Sequence, residues 1–379
     1  MIFTMKAAKQ SFKFLVLLFT LFFGAVVFAQ HHEKKHSSEG SEIDTEQEID
    51  EYIIHHTKDS HDFTLWSYTD DANQRHHVGF PLPIILWTSE GLVTFMSSEF
   101  HHNDDGHVLV EKGGQKFAKI HSKIYELEAG ASVVNFDETH HATNAHKVVD
   151  FSITKSVVGV LLIGLLMFWW FSSLARQYKK KQIPTGFGRI LEPLVIYVRD
   201  EIAKPNIGDA KYRQFTGYLL TVFFFIWIAN LAGLMSFGFN ITGQIAITAC
   251  LAIFTLVIYT TKANKEYWGH TLWMPGVPVF VKPVLAIIEL AGHFLIKPFS
   301  LLVRLFANIN AGHIVVMSLI AIIYKFKESM GLAGSIPLGL VLSFFITLIE
   351  VLVAFLQAYI FTMLSALFIG MAVAEHDHH

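Results

Sequence analysis

Residues 284–324 read VLAIIELAGHFLIKPFSLLVRLFANINAGHIVVMSLIAIIY. This apolar run has no obvious polar turn. It is roughly twice the ~20 residues that a perpendicular helix needs to cross a ~30 Å hydrocarbon core. Residues 338–372 have the same character, and YKFKESMGLAGS joins the two runs. The pattern predicts a hairpin of two long, tilted helices, the alternative being a pair with re-entrant ends. It also places Arg304 in sequence suited to lipid, with no acid nearby in the chain to neutralise it. A charge at the bilayer centre costs ~2.5–3.5 kcal/mol even on a lenient insertion scale, so such residues mark ion paths or relays.

Composition agrees with a membrane protein. Charged residues make up 16% of the 379, against roughly 25% in soluble domains, and the mean hydropathy is +0.42. The charge is divided unevenly. Residues 30–150 hold 9 Lys and Arg against 22 Asp and Glu, a net −13, whereas residues 151–379 hold 17 against 10, a net +7. An acidic block before a basic one implies two compartments. Cys250, the single cysteine, excludes an intrachain disulfide and, in its apolar run, reads as a small buried residue.

Lys6, Lys9 and Lys13 precede the apolar run FLVLLFTLFFGAVVFA, with Val27 and Ala29 at small-residue cleavage positions. Residues 1–29 are therefore expected to be a signal peptide, the alternative being an uncleaved anchor. In both cases residues 30–150 are exported. Residues 30–61 are polar and acidic, which predicts a flexible stretch. Across 62–136, short alternating apolar runs broken by Gly, Pro and Asn-Asp predict several β-strands. Fifteen of 21 histidines fall between 31 and 146, many in adjacent pairs such as His76-His77 and His101-His102. Adjacent side chains splay on a strand, and no Cys or His-x-x-His grid accompanies them. A solvated acidic segment explains them better than metal capture or pH sensing, so no metal site and no cofactor is expected.

From residue 151 onward the expected domain is membranous. Ser156–Leu174 spans first and ends in ARQYKKK, marking the cytoplasmic side. Residues 188–204 are amphipathic and suit a helix on the cytoplasmic surface. Spans at 215–237 and 241–261 follow, with a turn at 238–240 and a loop at 263–283 before the long pair. The expected fold is an all-α polytopic membrane protein of about five membrane helices, with a small exported region containing some β. The C-terminus falls in the cytoplasm.

Polar residues in the long pair are few: Glu289, His293, Lys297, Ser300, Arg304, Asn308, Asn310, His313, Glu350 and Gln357. Lys297, Ser300, Arg304 and Asn308 step by 3, 4 and 4 and share one helical face. Glu350 and Gln357 are seven apart, again one face. His313 lies nine residues after Arg304, near the opposite side. Arginine stays charged and cannot relay protons, whereas His and Glu can. Spacing alone leaves two readings open: a fixed charge beside a titratable water path, or an Arg304–Glu350 clamp between helices. His293 alone reads as a packed or snorkelling residue.

The run IKPFSLLVRLFANINAGH at 296–313 resembles the signature of subunit a of F-type ATP synthases, the static half of a rotary membrane motor. The likeness extends over roughly 150–375 through DFSITKSVVGVLL, NLAGLMSF, MPGVPVFVKP, IIEL and FLQAYIFTMLSALFIGMAVAEH, in order. It implies that Arg304 faces a rotating ring of c subunits and blocks leakage between two offset half-channels. By the same resemblance, Asn308, Gln357 and Asn230 are polar positions near the arginine or its access paths. His313 and Glu350 match an acid/imidazole pair in the exported-side half-channel, and Ser300 and Glu289 match the cytoplasmic one. Implied partners are the c-ring, peripheral-stalk b subunits, the F1 sector and the lipid bilayer of a bacterial inner membrane; no nucleic acid is expected. The sequence departs from the pattern at three points. Glu289 lies eight residues before Lys297 where seven is usual, and one residue turns a helix by ~100° unless a bulge absorbs it. Gly233 occupies a position that is acidic in some members. The block at 30–150 exceeds the family's short leader.

Two other classes compete. A metal transporter could use the exported histidines as a collector, yet only His313 and Glu350 would serve as ligands in its spans. A membrane-anchored sensor would need a cytoplasmic effector domain, for which the cytoplasmic segments are too short. With no nucleotide-binding loop, the chain has no catalytic site of its own.

Overall fold

The computed structural model describes residues 59–69, 75–101, 103–128, 130–136, 142–180, 184–186, 188–234, 241–274 and 276–374. The leader, the acidic stretch before Asp59 and the turn at 238–240 lie outside the described residues. Two compact units are distinguished, with the boundary at Leu161 inside the first long helix.

The first unit is built from antiparallel strands. β1 (Asp62–Thr69) pairs with β2 (Arg75–Pro81), and β3 (Pro83–Thr88) lies between β4 (Gly91–Met96) and β9 (Val149–Asp150). β5 (Asp105–Lys112), β6 (Gln115–Ile120), β7 (Lys123–Leu127) and β8 (Ala145–Lys147) form a meander. The β5–β6 hairpin is made by Gly113-Gly114, both at positive φ (61° and 79°), as a two-residue turn of this hand requires. Alternation on β3 buries Ile84 and Leu86 against Phe95, Phe100, Val110, Phe117 and Ile124. Under this core, charge is paired: Lys119 Nζ meets Asp62 Oδ2 at 2.8 Å, and buried His61 meets Asp150 at 2.8 Å. Burial opposes ionisation of Asp150, but hydrogen bonds from His61 and Ser152 outweigh it and hold the carboxyl below its ordinary range.

The helical part begins with α1 (Lys155–Lys180). Then come α2 (Gly188–Tyr197), a π turn (Val198–Ala203), α3 (Lys204–Ile207), α4 (Tyr212–Leu234), α5 (Ile245–Thr261) and α6 (Lys265–Leu272). α7 (Lys282–Ala291) and a second π turn (Gly292–Ile296) lead into α8, helical throughout Lys297–Val373. Among the described residues, four segments are long and apolar enough to cross a membrane: Lys155–Lys179, Tyr212–Leu234, Lys282–Gly312 and Val341–Val373. A fifth is counted if α5 and α6, bent by 102°, form one broken span; Cys250 on α5 is exposed, not buried as expected. The fold is thus a mostly helical polytopic membrane protein carrying an N-terminal β region. Part of the expected loop at 263–283 is the helix α6, which directs Tyr267 and Trp268 at His293.

α8 doubles back on itself. A straight helix would separate Gly312 and Glu350 by ~57 Å, yet a Cβ placed on Gly312 would lie 2.5 Å from Glu350 Oε2. Further along, Lys297 Nζ sits 5.6 Å from the Phe368 ring centre. Moving down one arm moves up the other, so the arms are antiparallel and the expected hairpin is present. The joining stretch 324–335 has helical backbone instead of a loop. The hairpin's end is fastened by side chains that reach its last carbonyls, which no intrahelical donor can satisfy. Lys211 Nζ and Asn264 Nδ2 each donate to the Val373 carbonyl at 2.9 Å. At Gly370 a Cβ would overlap the Asn206 carbonyl, so only glycine permits this approach.

Candidate functional site: the intramembrane polar constellation

The first arm of α8 buries Leu301, Leu305 and Ile309, which recur every four residues and hold the helix by one stripe. Arg304 is next to Leu305 in sequence, so it points about 100° away. It is exposed, with Ser300, Val303, Ala307 and Ala311 sharing the exposed side. Among the described residues Arg304 has no hydrogen-bond or ion-pair partner. The small Ser300, Ala307 and Ala311 would let another helix approach its backbone closely. The clamp between Arg304 and Glu350 is not formed. Glu350 instead lies about eight residues, or ~12 Å, along the axis from Arg304, over Gly312.

Glu350 is half-buried, and its carboxylate covers the Gly312 backbone, with Oε1 at 2.8 Å from where a Cβ would stand. The following residue is His313, whose side chain lies outside the described residues. The structure therefore brings Glu350 to the backbone beside His313, although the two are 37 positions apart in sequence. Counted from the Gly312–Glu350 contact, eight residues back along one arm reach Arg304, and seven forward along the other reach Gln357. With ~1.5 Å rise per residue, Arg304 and Gln357 stand at nearly one level. Gln357 is 7% exposed. Asn308 is partly buried on Arg304's side.

Asn230, from α4, is 1% exposed and knits three elements. Its Oδ1 accepts from Thr242 Oγ1 at 2.7 Å, and its Nδ2 donates to the Ala354 carbonyl at 3.4 Å. Ala354 lies within one turn of both Glu350 and Gln357, so Asn230 fixes the helix that carries them. Asn310 reaches Phe306 O at 2.9 Å and Gly243 O at 3.5 Å and fastens the same loop to the other arm.

The one-residue excess between Glu289 and Lys297 falls on the π turn Gly292–Ile296. A π turn closes its hydrogen bonds over five residues and so absorbs one extra residue. The reason is local. Lys297 N donates to Gly292 O, and the next residue, Pro298, has no N–H to give. The His293 carbonyl thus loses its backbone donor, and Tyr259 OH supplies one at 2.6 Å. The His293 ring is fully buried, with Nε2 2.9 Å from Thr260 Oγ1 and Nδ1 2.7 Å from Tyr267 OH. Lys297 Nζ in turn donates to Tyr267 OH at 3.4 Å, and Glu289 lies near enough to act on Lys297 electrostatically. Sequence reasoning missed His293, Tyr259 and Tyr267 as a unit; the excess residue before Lys-Pro was the available signal. Among the described residues no group of three or more His, Cys, Asp or Glu could hold a metal ion.

A multi-pass helical membrane protein with an exposed intramembrane arginine and a glycine-seated carboxylate is thereby defined. Residues 157–370 match the family described as ATP synthase A chain, and the chain belongs to that family. Residues 52–151 match a second family, described as a domain of unknown function, DUF8433. The chain is 43% identical over 284 residues to ATP synthase subunit a of Chloroherpeton thalassium, covering 73% of this chain and 77% of that one. It is also 43% identical over 246 residues to ATP synthase subunit a 2 of Chlorobaculum tepidum, covering 61% and 66%. To ATP synthase subunit a of Pelodictyon phaeoclathratiforme it is 42% identical over 246 residues, covering 61% and 68%. A protein of this family serves ATP synthesis and proton transport as part of a membrane complex.

Proposed function

We propose that this chain is the stator of the F0 sector and presents Arg304 to the carboxylates of a c-ring. The observation that carries the reading is Arg304 itself: exposed, flanked by small residues, and without an ion-pair partner among the described residues. Its counter-charge is mobile and belongs to another chain. A ring carboxylate in lipid stays neutral because desolvation raises its pKa. Beside Arg304 it can ionise with its charge matched instead of buried alone.

Water on either side then reloads the carboxylate through two offset half-channels. His313 and Glu350 serve the half-channel open to the exported side, with Gly312 giving the carboxylate its seat. Asn230, Asn308 and Gln357 line or hold the approaches to the arginine. Ser300 and Glu289 serve the cytoplasmic half-channel, and the π turn keeps Glu289 in phase with Lys297. Each proton crossing ~100 mV releases about 2.3 kcal/mol, so several crossings drive one phosphorylation in the F1 sector. Peripheral-stalk b subunits hold the chain still. We place it in a bacterial inner membrane with residues 30–150 exported after a signal peptide at 1–29, residues 151–379 as the channel domain, and a cytoplasmic C-terminus.

The test is proton-driven ATP synthesis by reconstituted complexes carrying Arg304→Ala. Assembly should persist, and synthesis should fall by about 100-fold or more, the scale of losing one preorganised charge. Normal synthesis in that variant would overturn the reading.

A further inference from the structure

The sheet β4–β3–β9 is apolar on both faces. One face carries Ile84, Leu86 and Phe95 into the core. On the other, the register sets Trp87 between Leu92 and Val149. One step along, Ile85 pairs with Thr94, and Phe151 N donates to the Ile85 carbonyl at 2.9 Å. A further step pairs Pro83 with Met96, and Ile153 N donates to the Pro83 carbonyl at 3.2 Å. Of these nine positions only Thr94 is polar and none is charged. Trp87, Leu92, Val149 and Phe151 are each more than half exposed. An antiparallel sheet with a solvated face alternates apolar and polar residues; this one does not, and a contiguous apolar patch marks an interaction surface.

The chain says what that surface meets. Ile153 lies two residues before Lys155, the first residue of the span Lys155–Lys179. The start of α1 is tied to the stretch that leads into β1, because Lys155 N donates to Ser60 O at 2.9 Å and Ser156 N to Asp59 Oδ1 at 3.0 Å. The first turns of α1 also expose the apolar side chains Val157 and Leu161. Even Val149 is six residues from the helix, at most ~20 Å of extended chain. A patch rich in Trp and Phe, free of charge and joined to a membrane span suits the boundary between headgroups and acyl chains.

We propose that this face of the β unit rests on the bilayer surface on its own side of the membrane, with lipid as its occupant, and so orients the unit where the first span enters. The proposal gives the domain matched by the second family a membrane-docking role that is independent of the proton path.

The test uses the full chain in the assembled complex, in phosphatidylcholine vesicles, on a Cys250→Ser background. Single cysteines at Leu92 or Val149 carry an environment-sensitive fluorophore, with Glu111→Cys, on exposed sequence of β5, as the control. At 92 and 149 the emission should shift to the blue and be quenched by lipids bearing a nitroxide near the headgroup, and aqueous iodide should have little effect. At 111 the pattern should reverse. Adding Trp87→Ser and Phe151→Ser should move the probe at 92 towards iodide quenching while residues 75–150 stay protease-resistant. Iodide quenching at 92 and 149 in the unsubstituted face would overturn the proposal, because the face would be bare. Protection from both quenchers would overturn it too, because a protein would be the cover.

Discussion

In the β unit, Lys119 is 4% exposed and its ammonium is met by Asp62 at 2.8 Å. In the helical unit, Arg304 is exposed, and among the described residues nothing in its own chain meets it. Both are cations in apolar settings, where an unmatched charge is costly. The β unit resolves the cost within its fold. The helical unit resolves it for Asn230, Asn310, Thr255 and His293, whose partners are all intrachain, and leaves Arg304 open. A charge satisfied at home is structural; on the function proposed above, the one left open amid satisfied neighbours is offered to another molecule.

The contrast can be broken by exchanging the two tests. Arg304→Ala should cost ATP synthesis about 100-fold or more and leave the thermal stability of the purified complex unchanged. Lys119→Met should do the reverse: by removing the buried cation that Asp62 meets at 2.8 Å it should destabilise the β unit by about 3–5 kcal/mol, measured by chemical denaturation, with synthesis kept in complexes that still fold. A large drop in stability for Arg304→Ala would mean that it, too, is a structural cation.

A smaller effect probes the glycine seat. Gly312→Val puts atoms where the Glu350 carboxylate lies, and overpacking of this kind costs about 1–3 kcal/mol. Proton flux through F1-stripped vesicles should fall about tenfold, the equivalent of ~1.4 kcal/mol, with Gly312→Ala milder. Unchanged flux in Gly312→Val would remove Glu350 from the path.

The smallest effect concerns pH. Asp150 is held below its ordinary 3.8, so its contribution to stability is complete above that pH and is lost as pH falls through the folded value. Asp150→Asn should flatten the stability of the β unit in that acid range, which thermal unfolding from pH 5 to 2 would reveal. A deletion of 31–58 should leave synthesis intact. It should stop short of Asp59 and Ser60, which bond the start of α1. Loss of metal uptake in that deletion would favour a histidine collector.

The division into an N-terminal strand region and a helical membrane part was legible in charge and hydropathy, because both follow from residue-by-residue partition between water and lipid. The hairpin was legible in length, since no single perpendicular helix uses 41 apolar residues. The stripe carrying Lys297, Ser300, Arg304 and Asn308 followed from periodicity, but periodicity could not say which stripe is buried; Leu301, Leu305 and Ile309 decide that by packing. The seat of Glu350 on Gly312 was hidden because it depends on the register between two arms, and register is a tertiary property. The π turn left a trace, one excess residue before Lys297-Pro298. Its cause, a carbonyl deprived of a donor and rescued by Tyr259, needed the fold. The outward Trp87 row was missed because alternation in a short strand does not reveal that both faces are apolar until the pairing is known.

The most direct measurement of the central idea, that the partner of Arg304 belongs to another chain, is a photo-crosslink from its own face. A short photoreactive group on cysteine at Ala307 or Ala311, in the assembled complex on a Cys250→Ser background, should capture a small ring subunit, identified by mass, whereas the same group at buried Leu305 should give adducts only within this chain. Adducts from Ala307 and Ala311 confined to this chain or to lipid would contradict the account.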